Sequence, residues 1–198
     1  NVIVSGVTTS GCTVSIQIGS TGASINDDFD LIISRQGSDV REATFLAAVP
    51  VQKVAFLKDV KASGTNGGSS SASYVTRDLN TIEGSSEIVA LSSNQFTLQK
   101  GKYVIEAEAP QYRASANGGK IKLYNTTDSA DEIIGQVTRN GSDSGSNAGL
   151  VGEVEITTVK TFEIRHRVNA AAATNGFGAA LSYGDDEIYT QIKITKLR

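Results

Sequence analysis

The chain has 198 residues, 18 basic and 21 acidic side chains and a net charge of -3, with 20 Gly, 2 Pro, one Cys, one His and neither Met nor Trp. A single Cys excludes an internal disulfide framework, and one Cys with one His falls short of the roughly four ligands of a structural zinc ion. No apolar run reaches the roughly 18 residues of a membrane-spanning helix, no heptad or Gly-x-y register is present, and the charge balance gives no basic nucleic-acid surface.

Ile and Val number 17 each and Thr and Ser 18 and 22, against 10 Leu, which favours strands and turns and predicts an all-β, non-enzymatic protein. The start at Asn1 and the lack of Met suggest a fragment or processed piece of a longer polypeptide. Residues 1–34 read as a small β module, with strands at Asn1 to Val7, Thr13 to Ile18 and Phe29 to Ser34. Three short strands make a thin core, so this module is expected to lean on neighbours. Cys12 reads as a small buried filler. Residues 35–50 form a linker, in which Ser38 to Ala43 can cap and start a short helix that Pro50 closes. Residues 1–50 carry five acids and two bases; the remainder is balanced.

Residues 51–198 alternate strand and turn. Strands are predicted at Val54 to Val60, Tyr74 to Leu79, Ile88 to Leu91, Phe96 to Leu98, Lys102 to Ala109, Lys120 to Tyr124, Glu132 to Thr138, Leu150 to Val159, Thr161 to Val168, Phe177 to Tyr183 and Glu187 to Lys196. Four Asn-Gly pairs (66–67, 117–118, 140–141 and 175–176) are expected as turns with positive φ. Gly-rich 62–73 and 139–149 read as loops, without a phosphate-binding pattern.

Phe96-Thr97-Leu98-Gln99-Lys100-Gly101-Lys102-Tyr103-Val104-Ile105 resembles the turn-and-strand signature of C1q/TNF-like jelly rolls, with Ile105 where the family carries an aromatic. The segments Tyr74 to Thr81, Leu91 to Phe96, Lys120 to Asn125, Asp131 to Gly135, Lys160 to Ile164 and Asn175 to Gly178 are similar to jelly-roll domains of tailed bacteriophage and cyanophage virion proteins. The resemblance covers about residues 51–198. It implies a C-terminal jelly-roll sandwich that forms a homotrimer on the virion, as a tail-fibre tip for host attachment or as a capsid decoration or head fibre. The resemblance implies no ligand; the N-terminal part is expected to hold other virion proteins and the tip loops to meet a host-surface glycan, with no cofactor, nucleic acid or membrane insertion. A polysaccharide depolymerase is the third, enzymatic alternative.

Alternation along the strands nominates the sites. On 161–168, Phe162, Ile164, His166 and Val168 share an apolar face, so the only His is expected as a hydrogen-bonded core residue. Arg165 and Arg167 lie on the other face. On 102–109, Tyr103, Ile105 and Ala107 point in, and Glu106 and Glu108 point out. The jelly-roll resemblance places both strands side by side in the axis-facing sheet, with Glu106, Glu108, Arg165 and Arg167 forming a subunit-interface network. Tyr189, opposite in phase to Ile188, Thr190, Ile192 and Ile194, is expected to face the trimer axis. Loops 110–119 and 183–187 fall at the end away from the stalk and supply receptor-binding candidates Tyr112, Arg113, Asn117, Tyr183, Asp185 and Asp186. Asp185-Asp186-Glu187 lacks the spaced ligands of a calcium loop and reads as a solvated turn, so no metal is assigned. No pair of acids sits at a separation set for glycoside hydrolysis.

Overall fold

The computed structural model describes residues 3–8, 11–17, 52–113 and 117–197. The chain divides into two compact units, Asn1–Val51 and Gln52–Arg198. Within the first, β1 (Ile3–Thr8) and β2 (Gly11–Gln17) form an antiparallel hairpin with a register shift between Ser5 and Val7. The expected strand 29–34 and helix 38–43 lie outside the described residues.

The second unit is a two-sheet antiparallel sandwich. Its first sheet runs β12 (Ser144–Ile156), β8 (Gly101–Arg113), β14 (Glu187–Lys196), β3 (Lys53–Lys61), β5 (Thr81–Gly84). The second runs β10 (Ala130–Ile134), β9 (Asn117–Asn125), β13 (Lys160–Val168), β7 (Gln95–Leu98), β6 (Val89–Ser92). Two short strands join it at the side, β4 (Val75–Thr76) on β13 and β11 (Thr138–Asn140) on β9. The chain crosses between sheets from β7 to β8, β8 to β9, β12 to β13 and β13 to β14, and the first long strand pairs with the last. This is jelly-roll connectivity.

Alternating apolar residues on the facing sides make the core. Ala55, Leu57, Tyr103, Ile105, Ala107, Leu150, Ile192 and Ile194 from one sheet meet Phe96, Leu98, Ile121, Leu123, Phe162 and Ile164 from the other, all buried. Phe96 and Phe162 pack with ring centroids 5.8 Å apart. Each large side chain removed from water here contributes about 1.5–3 kcal/mol before conformational entropy is subtracted. Gly152 faces inward on β12, and a Cβ there would meet Ile133 Cδ1 at 2.8 Å; its missing side chain lets Ile133 of β10 close the open edge of the sandwich.

Several local expectations change. Phe177 to Tyr183 is not a strand but turn and irregular backbone. Only Phe177 and Tyr183 in it are strong strand formers, Gly178 takes φ 129°, and Phe177 is drawn into the tertiary role described below. Glu132 to Thr138 splits between β10 and β11, and β5 joins β3 without having been foreseen. β8 continues through Pro110 to Arg113, because Pro110 lies beyond the last β8–β14 pair, Glu108–Gln191. None of the four Asn-Gly glycines has positive φ. Asn117-Gly118 opens β9, and the Gly67 site exists because a Cβ would sit 2.5 Å from the Phe177 carbonyl oxygen. The tight hairpin between β6 and β7 is turned instead by Ser93 and Asn94, at φ 51° and 65°.

Candidate functional site

β3 begins and β14 ends at the same extremity, paired Lys53 to Lys196, while Glu187 pairs with Lys61 at the other. Arg113 and Ser144 also pair at this second end. The end of β8 at Tyr112 and Arg113, the start of β9 at Asn117 and the loop 183–187 therefore lie at the extremity remote from Lys53. Beneath them lies a buried polar scaffold. Arg77 is fully buried, donating from Nε to Thr190 Oγ1 (2.9 Å), and from its two terminal nitrogens to the carbonyls of Pro110 and Phe177 (both 3.2 Å). Its guanidinium lies 4.0 Å from the Phe177 ring centroid, and that ring stacks on His166 at 5.2 Å. One cation thus ties β8, β14 and the 174–178 loop together. Burial lowers Arg77 to about 10, with Asp59 and Asp78 acting against the shift.

His166 is fully buried, as its place on the apolar face of β13 requires. The Gln111 amide nitrogen donates to Asn140 Oδ1 (3.1 Å), so its oxygen accepts from His166 Nε2 (3.2 Å), which makes Nε2 the protonated nitrogen. Burial, with Arg77 adding repulsion, pushes the His166 pKa down to about 3, so the ring is neutral. Asp59, also fully buried, is raised by desolvation, with Lys61 at 2.9 Å opposing the shift.

The receptor candidates separate. Tyr112 and Arg113 are half-buried at the end of β8, and Tyr183, Asp185 and Asp186 are exposed. Tyr112 lines a hollow of about 620 Å³ with Asp143, Leu181, Glu187 and Ile188. Asn117 is buried: its Nδ2 donates to the Ala170 carbonyl and its Oδ1 accepts from Gly118 and Ala170. It is a structural clamp rather than an exposed ligand contact, being buried and bonded to the backbone through both ends of its amide. Glu187 also serves the fold. Its Oε1 accepts the backbone N–H groups of Gly64, Leu181 and Ser182, which hold its carboxyl below the ordinary range. Among the described residues no cluster of three or more metal-ligating side chains occurs.

The proposed interface network does not assemble. β8 lies between β12 and β14 in one sheet, and β13 between β9 and β7 in the other. Their apolar faces meet in the core, so Glu106 and Glu108 emerge on one outer surface while Arg165 and Arg167 emerge on the opposite one. Glu106 pairs instead with Lys193 of the next strand (2.8 Å). Arg165 pairs with Glu163 (2.5 Å) and stacks on Tyr124 (3.3 Å to the centroid). Tyr189 points inward. A register shift between Ile188 and Gln191 inserts one residue into β14, so Ile188 turns out to solvent and Tyr189 is buried, donating to the Thr65 carbonyl at 2.7 Å.

The outward face of the five-stranded sheet carries one row of Val151, Glu106, Lys193, Phe56 and Glu83, and a second of Gly149, Glu108, Gln191, Lys58 and Thr81. Phe56, on β3, is 40% exposed, and Val151, on the edge strand β12, is 63% exposed. Ion pairs Lys58–Glu83 (2.6 Å) and Lys193–Glu106 flank them, whereas Glu108 has no cation partner among the described residues. Gly149 leaves a shallow groove of about 390 Å³ between these rows.

No family model matches the chain, and no curated protein matches its sequence. Among solved structures, it is similar to murine APRIL crystallised at pH 5.0, at 11% identity and a TM-score of 0.46, over 74% of this chain and 99% of that one. Murine APRIL at pH 8.5 gives 10% identity and a TM-score of 0.41 over the same shares.

Proposed function

We propose that this chain is a non-enzymatic virion structural protein, the homotrimeric tip of a bacteriophage tail fibre that attaches to the host surface. The observation that carries the reading is the outward face of the five-stranded sheet, where Phe56 and Val151 stand exposed beside Glu108, which has no cation partner among the described residues. A large exposed aromatic on β3 and an exposed β-branched residue on the edge strand β12, on the same sheet face, fit burial against another copy better than permanent hydration. A threefold closed assembly buries such a patch on every subunit and leaves the loop ends free. The three copies of Tyr112, Arg113, Tyr183, Asp185 and Asp186 would then present weak sites on one rigid tip, and attachment gains from avidity. The hairpin unit at the N-terminus is assigned to contact with other virion proteins.

Two measurements test this reading. Light scattering should give three times the mass of a single chain. Gold-labelled antibody should mark the distal tail fibre by electron microscopy. A monodisperse single chain overturns the trimer, and label confined to the capsid overturns the tail-tip placement. Shortening of host polysaccharide on incubation with the protein overturns the non-enzymatic assignment.

A further inference from the structure

The opposite outer surface, on the seven-stranded sheet, carries a second feature, away from the face where the trimer is proposed to close. Lys122 lies directly opposite Arg165, and Lys120 opposite Arg167, on strands β9 and β13. Like charges facing each other across a strand pair, with Cβ atoms about 5 Å apart, destabilise a sheet. One pair is neutralised within the fold. Lys122 meets Asp131 at 2.5 Å and lies over Tyr74 at 4.1 Å, while Arg165 is held by Glu163 and Tyr124. The other pair is not. Lys120 and Arg167, together with Arg139 opposite Gly118, have no acidic partner among the described residues. These three cations line a hollow of about 530 Å³ whose other walls include Tyr74, Val137 and Asn169. Gly118 carries no side chain on this face, and a Cβ there would approach Arg139 Cγ at 3.3 Å; the glycine leaves room for the arginine stem.

The geometry points to a binding site for an acidic saccharide bearing carboxylates, with Lys120, Arg139 and Arg167 as its anion contacts. The guanidinium forks of Arg139 and Arg167 match a carboxylate in a bidentate way, and Lys120 adds a point charge. Tyr74 and Asn169 supply the aromatic wall and amide that suit a sugar ring and its hydroxyls. The cations occupy a few strand positions, a span on the order of 10 Å, which fits one or two sugar units. Asp131 and Glu163 bound the patch, and the chain is net -3, so no extended positive field exists for a nucleic-acid backbone.

Titration calorimetry of the full chain with a galacturonate hexamer tests the site, with maltohexaose as the neutral control. The acidic hexamer should bind, more weakly at physiological than at low ionic strength, and the neutral one should not. Lys120→Ala, Arg139→Ala and Arg167→Ala should each weaken binding by roughly tenfold, with unfolding midpoints no lower than wild type. Arg167→Lys should fall between wild type and Arg167→Ala, since it keeps the charge and loses the fork. Should an alanine variant misfold, Lys120→Gln gives the same readout. Undiminished binding by the triple alanine variant, no binding by wild type at millimolar hexamer, or equal binding of a DNA hexamer would each overturn the proposal.

Discussion

Arg77 shows how much a single buried side chain organises here. It has no exposed surface and satisfies two carbonyls and a hydroxyl from three separate segments. Replacing it with Leu leaves those acceptors unpaired and Asp59 buried without one of its nearby cations. The expected loss is about 3–5 kcal/mol, a large share of the roughly 5–15 kcal/mol that holds a domain together, measured by urea unfolding. His166 beside it gives the chain an acid limb. Its pKa is about 3 in the fold, against an ordinary value near 6.5 when unfolded. Its contribution is therefore fully present above pH 6.5 and is lost as pH falls toward 3, because the unfolded chain takes up the proton first. Asp59, raised by burial, titrates in the opposite sense. His166→Leu should thus flatten the stability profile between pH 6.5 and 3 by up to about 1.4 kcal/mol per pH unit. An unchanged slope in urea titrations across that range would refute the assignment.

Among the elements, β14 is the one that alternation misread. One extra residue near Tyr189 reverses which side chains face the core, and the phase before the bulge is opposite to the phase after it. The burial of Tyr189 in turn shapes the neighbouring loop. Gly178, at φ 129°, lies against the tyrosine ring, and a Cβ there would press on it. Gly184, at φ 98°, has open space around its Cβ direction. Gly178→Ala should therefore cost more than Gly184→Ala, by about 1–3 kcal/mol, the first carrying overpacking as well as backbone strain. Thermal unfolding of the two variants separates the terms. β8 and β13 behave differently: their buried faces, Tyr103-Ile105-Ala107 and Phe162-Ile164-His166-Val168, follow the alternation written in the chain.

For the molecule as a whole, the two outer surfaces make separable predictions. Phe56→Lys combined with Val151→Lys places charge where the trimer is proposed to close, and should reduce the light-scattering mass to that of one chain. Arg165→Glu or Arg167→Glu, on the other sheet, should leave that mass unchanged. Reversal of this pattern would move the assembly surface to the seven-stranded sheet. Tyr112→Ala and Tyr183→Ala should weaken attachment to host cells without altering mass, since both lie at the loop end. Equal adsorption by all three proteins would remove that end from the attachment role.

The all-β class and most of the core were written in the chain, because hydrophobic alternation is a local property and survives any arrangement of the strands around it. The buried histidine was legible for the same reason. Sheet membership was not. Alternation says which residues share a face, but not whether Glu106 and Arg165 share a sheet; that depends on pairings between strands some 60 residues apart. The same holds for Arg77, whose burial requires carbonyls from Pro110 and Phe177 to converge on it, and for Phe56 and Val151, which face outward because the opposite face of their strands is taken by the core.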